Sequence, residues 1–167
     1  IPLIPESHEA AITEPVQTFM QSLVVDIRPM GATENFYFYQ HATGQILFCY
    51  TPDPPMHGYD TEVTSTFLPI ASKRLFTLMP RLQNIRVRRT WRGLYPMTPD
   101  GSPFLGFVPE VPGMLLAVGM CGQGFMLGPG IGEFISIAIT TSLDKTQQAV
   151  LHDLSLSRPR SHVEMLK

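Results

Sequence analysis

Apolar and polar positions alternate most clearly between residues 35 and 50. Asn35-Phe-Tyr-Phe-Tyr-Gln40 and Gln45-Ile-Leu-Phe-Cys-Tyr50 read as paired strands around His41-Ala-Thr-Gly44, whose glycine supplies the positive φ that a tight hairpin loop needs. Rings at 36 and 38 share one face, and rings at 37 and 39 share the other. One face packs on a core; the other lines a pocket, meets another element or covers a second core layer. Ile12–Val16 and Ser22–Asp26, rich in Val, Ile and Leu, predict two shorter strands.

Prolines make residues 51–58 a loop, and Asp60 stands where it can cap a helix over 62–79. Val63, Phe67, Ile70, Ala71, Arg74, Leu75, Leu78 and Met79 fall mostly on one stripe of that helix, with Lys73 off it, and Pro80 ends it. Residues 85–94 predict a strand, 96–101 a turn, and 103–107 a short extended piece. Met114–Val118 reads as a buried strand and 119–128 as a glycine loop. A helix over 129–142 follows, with Pro129 in its first turn, where a missing N–H costs nothing. Residues 143–167 read as a polar tail with one edge strand at Leu154–Leu156.

Composition narrows the function classes. Apolar residues make up 44% and charged residues 16%, against the roughly one quarter charged that is usual for a soluble domain. Two readings fit: surface hidden against further protein, or a small domain with a well-buried core. A net charge of −2 gives no electrostatic case for nucleic acid. The one basic cluster, Arg86, Arg88, Arg89 and Arg92, reads as a solvated strand edge or as a meeting point for phosphate or carboxylate. Cys49 and Cys121 make neither a CxxC pair nor a zinc spacing, so free thiols in a reducing, cytoplasmic setting are expected, with no metal site. Ile1–Pro5 has no basic leader region. Residues 113–139 approach the length of about twenty apolar residues that spans a bilayer. Glycines, Pro129 and Glu133 divide them into strand, turn and helix, so no transmembrane segment is expected.

The loop Gly119-Met-Cys-Gly-Gln-Gly-Phe-Met-Leu-Gly128 carries the candidate chemistry. Its glycines allow close approach of backbone to a ligand. The following helix would add partial positive charge at its N-terminus, typically worth about 0.3–1 kcal/mol to an anionic group. A flat ring that gains electrons, such as a flavin, would be stabilised there. Helix–sheet close packing explains the same glycines equally well, and no GxGxxG or GKS/T pattern opens the helix.

Arg89-Thr-Trp-Arg-Gly-Leu-Tyr-Pro-Met-Thr-Pro-Asp-Gly101, then Pro103-Phe-Leu-Gly106, then residues 113–133, resemble the C-terminal part of the FAD-dependent amine and amino-acid oxidoreductases. This is the family of D-amino-acid oxidase, glycine oxidase and sarcosine oxidase. Within it the motifs are most similar to the flavin subunit of dye-linked L-proline dehydrogenase and to sarcosine dehydrogenase. Ile12-Thr-Glu-Pro-Val16 resembles the stretch that enters the substrate domain in those proteins, so the likeness covers about residues 1–142. It implies an α+β fold in three parts. Residues 1–88 would belong to a mixed substrate-domain sheet with a covering helix. Residues 89–142 would be the C-terminal strand–glycine loop–helix of a Rossmann-like FAD domain, and 143–167 the tail. The strand–GxGxxG–helix that holds the dinucleotide in the family is not in this sequence. The chain is therefore expected to be part of a larger two-domain flavoprotein, inactive by itself, whose N-terminal FAD-binding portion or further subunits complete the site.

Carried over by position, the resemblance puts Gly93, Leu94, Tyr95 and Pro96 beside FAD. It puts Gly122, Gln123, Gly124, Phe125, Met126 and Leu127 along the pyrimidine edge of the flavin. Tyr39, Tyr50, Tyr95 and Gly122 are the substrate-side candidates, with His41 and His57 as pocket candidates and Trp91 as packing. The glycine and D-amino-acid oxidases keep an arginine where Tyr95 stands, and glycine oxidase has another where Gly122 stands. Carboxylate recognition here must come from Arg92, Arg89 or elsewhere. The cysteine that carries covalent flavin in monomeric sarcosine oxidases would fall at Gly93, so that linkage is unsupported. The implied reaction is oxidation of the C–N bond of a small amine or amino acid such as proline, sarcosine or glycine, by hydride transfer to flavin N5. No catalytic side chain is assigned, and no residue decides between oxidase and dehydrogenase. The alternative is a non-catalytic interaction module that completes a flavin enzyme on another chain.

Overall fold

The computed structural model describes residues 1–159. The chain has an α+β fold and divides into two compact units, one of Glu6–Leu94 and one of Ile1–Pro5 together with the chain from Tyr95 onward. Strands β1 (Ile4–Thr13), β2 (Val24–Asp26), β3 (Thr33–Gln40), β4 (Ile46–Pro52) and β5 (Val87–Met97) form a sheet in the order β2-β3-β4-β1-β5. The β3–β4 hairpin is the expected one, with Phe36 opposite Tyr50 and Phe38 opposite Phe48.

Period-two alternation turns Phe36 and Phe38 inward, where they are fully buried, and leaves Tyr37 and Tyr39 half-buried. Helix α1 (Phe67–Leu78) contributes Phe67, Ala71 and Leu75 to the same core, one stripe at i, i+4 and i+8. Each large side chain removed from water there contributes about 1.5–3 kcal/mol. Arg74 lies on that helix with its side chain buried. It bonds to Thr33 Oγ1, to Asp26 O at 3.0 Å and to Arg28 O at 2.6 Å, and it pairs with the Asp26 carboxylate at 3.3 Å. One side chain thus pins the β2–β3 connection to α1. Gln40 makes a similar node: its Oε1 accepts from the N–H of Phe19 and Met20, while its Nε2 donates to the carbonyls of Val16, Gln17 and Gly44.

Several elements differ from the sequence reading. β1 begins at Ile4, not Ile12, because Ser7, His8 and Glu9 are buried despite their polarity and so hide the strand's alternation. The segment 14–16 is a loop; Val16 N–H donates to Gly44 O at 3.1 Å. α1 starts at Phe67 instead of residue 62. Asp60 caps a turn, its Oδ1 accepting from Glu62 N–H at 2.9 Å, and Glu9 draws off Thr64 through its N–H (2.8 Å) and hydroxyl (2.6 Å). Pro69 falls in the first turn of the shortened helix, where its missing N–H is free of cost.

The unit from Tyr95 onward holds the hairpin of β6 (Phe104–Phe107) and β7 (Leu115–Val118), then α2 (Gly124–Thr140) and α3 (Lys145–Asp153). α2 starts at Gly124, closed by Leu127 N–H donating to Gln123 O at 3.0 Å. Pro129 therefore lies inside the helix and not in its first turn. None of the α2 side chains is buried by the described chain; Phe125 is 98% exposed and Met126 72%. The polar region after 142 contains α3, a helix that the polar composition does not announce. Asp144 and Gln147 form a reciprocal capping box, with bonds of 2.8 and 2.9 Å, that closes the N-terminus of α3. Leu154–Leu156 is a turn instead of a strand, and meets β6 through one bond, Leu105 N–H to Leu154 O at 2.9 Å. Residues 160–167 of the expected tail lie outside the described residues.

Candidate functional site

Two segments of the second unit come together: Tyr95–Thr98 at the end of β5, and residues 119–127 running from β7 into α2. Their junction is Cys121, fully buried and holding a left-handed φ of 48°, a conformation uncommon outside glycine. Its thiol lies 3.0 Å from Gly119 O, to which it donates, and accepts from Thr98 N–H at 3.3 Å. Gly122 follows at φ +85°, and the ring of Tyr95 lies against it: a Cβ there would fall 2.4 Å from Tyr95 Cε2. Gly119, at φ +73°, is equally closed, with Thr98 Cγ2 2.4 Å from where a Cβ would stand. The two glycines are therefore required by close packing as well as by turning.

Beneath this junction the turn Thr98–Ser102 closes on a buried ion pair. Asp100 receives Arg158 Nε at 2.8 Å on Oδ2 and Arg158 Nη2 at 2.7 Å on Oδ1, a bidentate contact. The Arg158 hydrogen bond is the main reason that the Asp100 carboxyl is held at about 2; burial opposes it, and the Ser102 N–H and Thr98 hydroxyl assist. The Thr98 hydroxyl is shared between Ser102 O at 2.8 Å and Asp100 Oδ1 at 3.1 Å. Neither Asp100 nor Arg158 was singled out from sequence. The only local signal was the Thr-Pro-Asp-Gly turn, and nothing in the spacing ties it to an arginine in the tail.

The first turn of α2 follows the junction directly. Helix geometry leaves the N–H groups of Gly124, Phe125 and Met126 without acceptors in their own helix, and their side chains do not cover them: Gly124 has none, and Phe125 and Met126 extend into solvent. Backbone donors at the positive end of a helix, entered over a glycine that closes on an aromatic ring, are the kind of group that could receive an electron-rich ring edge. Residues 122–127 are those that would hold it.

The other candidates are spread over the chain. Gly93 and Leu94 end the first unit on β5, immediately before Tyr95 and Pro96. Tyr39 is half-buried opposite Leu47. Tyr50 is buried and stacked on Phe67, ring centroids 5.3 Å apart, beside a cavity of about 10 Å³, room for a water molecule. Burial pushes its phenol up. His41 is exposed in the hairpin turn, its Nδ1 2.8 Å from Thr43 Oγ1, and His57 is exposed with Nδ1 3.6 Å from Glu6 Oε1. Of the arginines, Arg86, Arg88 and Arg89 are exposed, whereas Arg92 is held by Asp60 Oδ2 and Glu62 O, each at 2.9 Å. Trp91 is half-buried. Cys49 and Cys121 are both free and buried, and burial pushes the Cys49 thiol up to about 12. No group that could hold a metal occurs among the described residues. No single helix there is long and apolar enough to cross a membrane.

Known proteins resemble this chain in sequence and in fold. Glycine oxidase of Bacillus subtilis is 37% identical over 86 residues, 52% of this chain and 23% of its own length. Hydrogen cyanide synthase subunit HcnC of Pseudomonas aeruginosa is 32% identical over 128 residues, 75% of this chain and 28% of its own. Among solved structures, L-proline dehydrogenase from P. horikoshii superimposes with a TM-score of 0.77 at 31% identity, over 87% of this chain and 38% of that one. The chain therefore spans well under half of the proteins it resembles. A sequence profile for FAD dependent oxidoreductases matches residues 1–136. With the hairpin, glycine loop and exposed helix start all falling inside the matched region, the chain belongs to the FAD dependent oxidoreductase family.

Proposed function

We propose that the protein carrying this chain oxidises the C–N bond of a small amino acid or secondary amine, such as proline, sarcosine or glycine, at bound FAD. The observation that carries this reading is the junction of Tyr95 with Gly122, continuous with the exposed first turn of α2. FAD would supply the redox step, accepting a hydride at N5 from the carbon beside nitrogen. This chain would supply orientation and polarity. The main chain of 122–127 would face the pyrimidine edge, and its fixed donors would stabilise negative charge gathering there. Gly93, Leu94, Tyr95 and Pro96 would run along the ring. Tyr95, seated on Gly122, would present an aromatic wall to substrate; Tyr39 and Tyr50 are the further substrate-side candidates. Arg92 is already committed to Asp60, so a carboxylate clamp would have to draw on another residue.

The adenine and pyrophosphate contacts belong to a dinucleotide-binding portion outside this sequence, in the same polypeptide or in a partner subunit. A cytoplasmic setting is in keeping with two free buried thiols. The second reading, a module that completes a flavin enzyme on another chain, is favoured by one observation: α2 is apolar, yet no side chain of it is buried. Purification of the complete protein tests both. A flavin absorption spectrum, release of FAD on denaturation, and bleaching of the flavin by proline, sarcosine or glycine support the enzyme. Absence of flavin from intact protein, after FAD has been supplied, overturns it. Residues 1–167 alone, titrated with micromolar FAD, are expected to bind it weakly or not at all and to show no turnover; tight saturable binding would contradict that.

A further inference from the structure

We propose that Arg158 is a positioning residue for the flavin-side segments: through Asp100 and Thr98 it fixes Tyr95–Thr98 against residues 119–122. The inference rests on the reading that these segments border FAD, and extends it to a residue far from them in sequence.

The guanidinium has five N–H donors in a rigid plane, and every one is used. Nε and Nη2 take the two oxygens of Asp100 at 2.8 and 2.7 Å. Nη2 also reaches Ser102 O at 2.7 Å, and Nη1 reaches Pro103 O at 2.9 Å and Leu154 O at 3.0 Å. The plane lies over the Phe104 ring, 4.3 Å from its centroid, and the side chain is only 4% exposed. Two of these acceptors, Asp100 and Ser102, belong to the Thr98–Ser102 turn and Pro103 follows it directly, so the guanidinium acts as a template for the shape of that segment.

The shape is passed on. Asp100 and Ser102 O hold the Thr98 hydroxyl, which sets the Thr98 backbone. Thr98 N–H then donates to the Cys121 thiol, and that thiol donates to Gly119 O. Cys121 keeps a left-handed φ, and the Tyr95 ring rests on the adjacent Gly122. A residue held in such a conformation persists only when its surroundings over-determine it, and this chain of contacts is what does so. Lysine cannot replace the arginine, because a single ammonium offers three donors from one point and no plane to stack on Phe104.

The experiment uses the complete protein with bound FAD, and compares Arg158→Lys and Asp100→Asn with the unaltered enzyme. Each is followed by circular dichroism, thermal midpoint, flavin absorption spectrum and FAD dissociation constant. If Arg158 positions the segments, both variants stay folded, shift the flavin bands, and bind FAD about tenfold more weakly or worse, the loss typical when an outer support of a binding site is removed. A lowered thermal midpoint with spectrum and dissociation constant unmoved would reduce the pair to a staple of the fold and overturn the proposal. So would failure of both variants to fold. Absence of flavin from the unaltered protein would instead refute the proposed function itself.

Discussion

Replacing Gly122 by alanine tests the junction without reference to any ligand. The new Cβ would stand 2.4 Å from Tyr95 Cε2 and 2.8 Å from Cδ2, where carbon atoms settle at about 3.5–4.0 Å. Forcing a methyl into that contact costs about 1–3 kcal/mol, as overpacking does elsewhere. The φ of +85° adds about 1–2 kcal/mol for any residue with a Cβ. Gly122→Ala should therefore lose about 2–5 kcal/mol in equilibrium urea unfolding followed by far-ultraviolet circular dichroism. The two contributions separate in a double-mutant cycle with Tyr95→Ala. Removing the ring abolishes the clash and leaves the dihedral cost, so the pair should be coupled by about 1–3 kcal/mol. Strict additivity, within about 0.5 kcal/mol, would mean that the ring does not rest on this glycine in solution.

Three further outcomes follow from the same contacts. Asp26 and Asp100 are each held at about 2, chiefly by the side-chain hydrogen bonds of Arg28 and Arg158. Because both folded values lie below the ordinary carboxylate value of 3.8, the folded chain binds fewer protons than the unfolded one. Their stabilisation is complete above about pH 4 and disappears as pH falls towards 2. Asp100→Asn should flatten the stability–pH curve in that window; an unchanged slope would refute the assignment. Arg74→Ala should lose about 2–6 kcal/mol: the Asp26 carboxylate keeps Arg28, but the carbonyls of Asp26 and Arg28 lose their buried donor, at about 1–3 kcal/mol for each unsatisfied group. A loss below about 1 kcal/mol in the same urea assay would contradict that. Asp144→Ala should cost α3 about 1 kcal/mol, read as faster amide exchange at Gln147, whose N–H now bonds to Asp144 Oδ1; unaltered exchange would count against the cap.

The legibility of each element follows from where its partners lie. The β3–β4 hairpin could be read directly because its partners are neighbours in sequence and its rings alternate with period two. β1 could not: Ser7, His8 and Glu9 look like surface, yet they are buried, and Ser7 bonds to Asp60 O and Glu9 to Thr64, both far along the chain. The start of α1 was misplaced for the same reason, since Glu9 lies 55 residues from the Thr64 it captures. α3 was legible in principle. Asp144 and Gln147 spell a capping box, but the residues after it are polar and give no strong stripe to mark a helix. At the candidate site the glycine loop and Tyr95 could be chosen from resemblance and glycine spacing. The packing of Tyr95 on Gly122 could not, because a glycine shows nothing of what leans on it. Arg158 was invisible, 58 residues from the aspartate it grips.

Gln40 has a consequence for the age of the molecule. Its Nε2 faces three carbonyl oxygens, those of Val16, Gln17 and Gly44, at 3.4, 3.2 and 3.0 Å. Spontaneous hydrolysis of that amide would put a carboxylate oxygen where the NH₂ group now stands, turning three attractions into three repulsions in a place with little water to screen them. The strap of residues 16–20 would then lift from the hairpin turn, and an old preparation would open at this corner before its aromatic centre loosened.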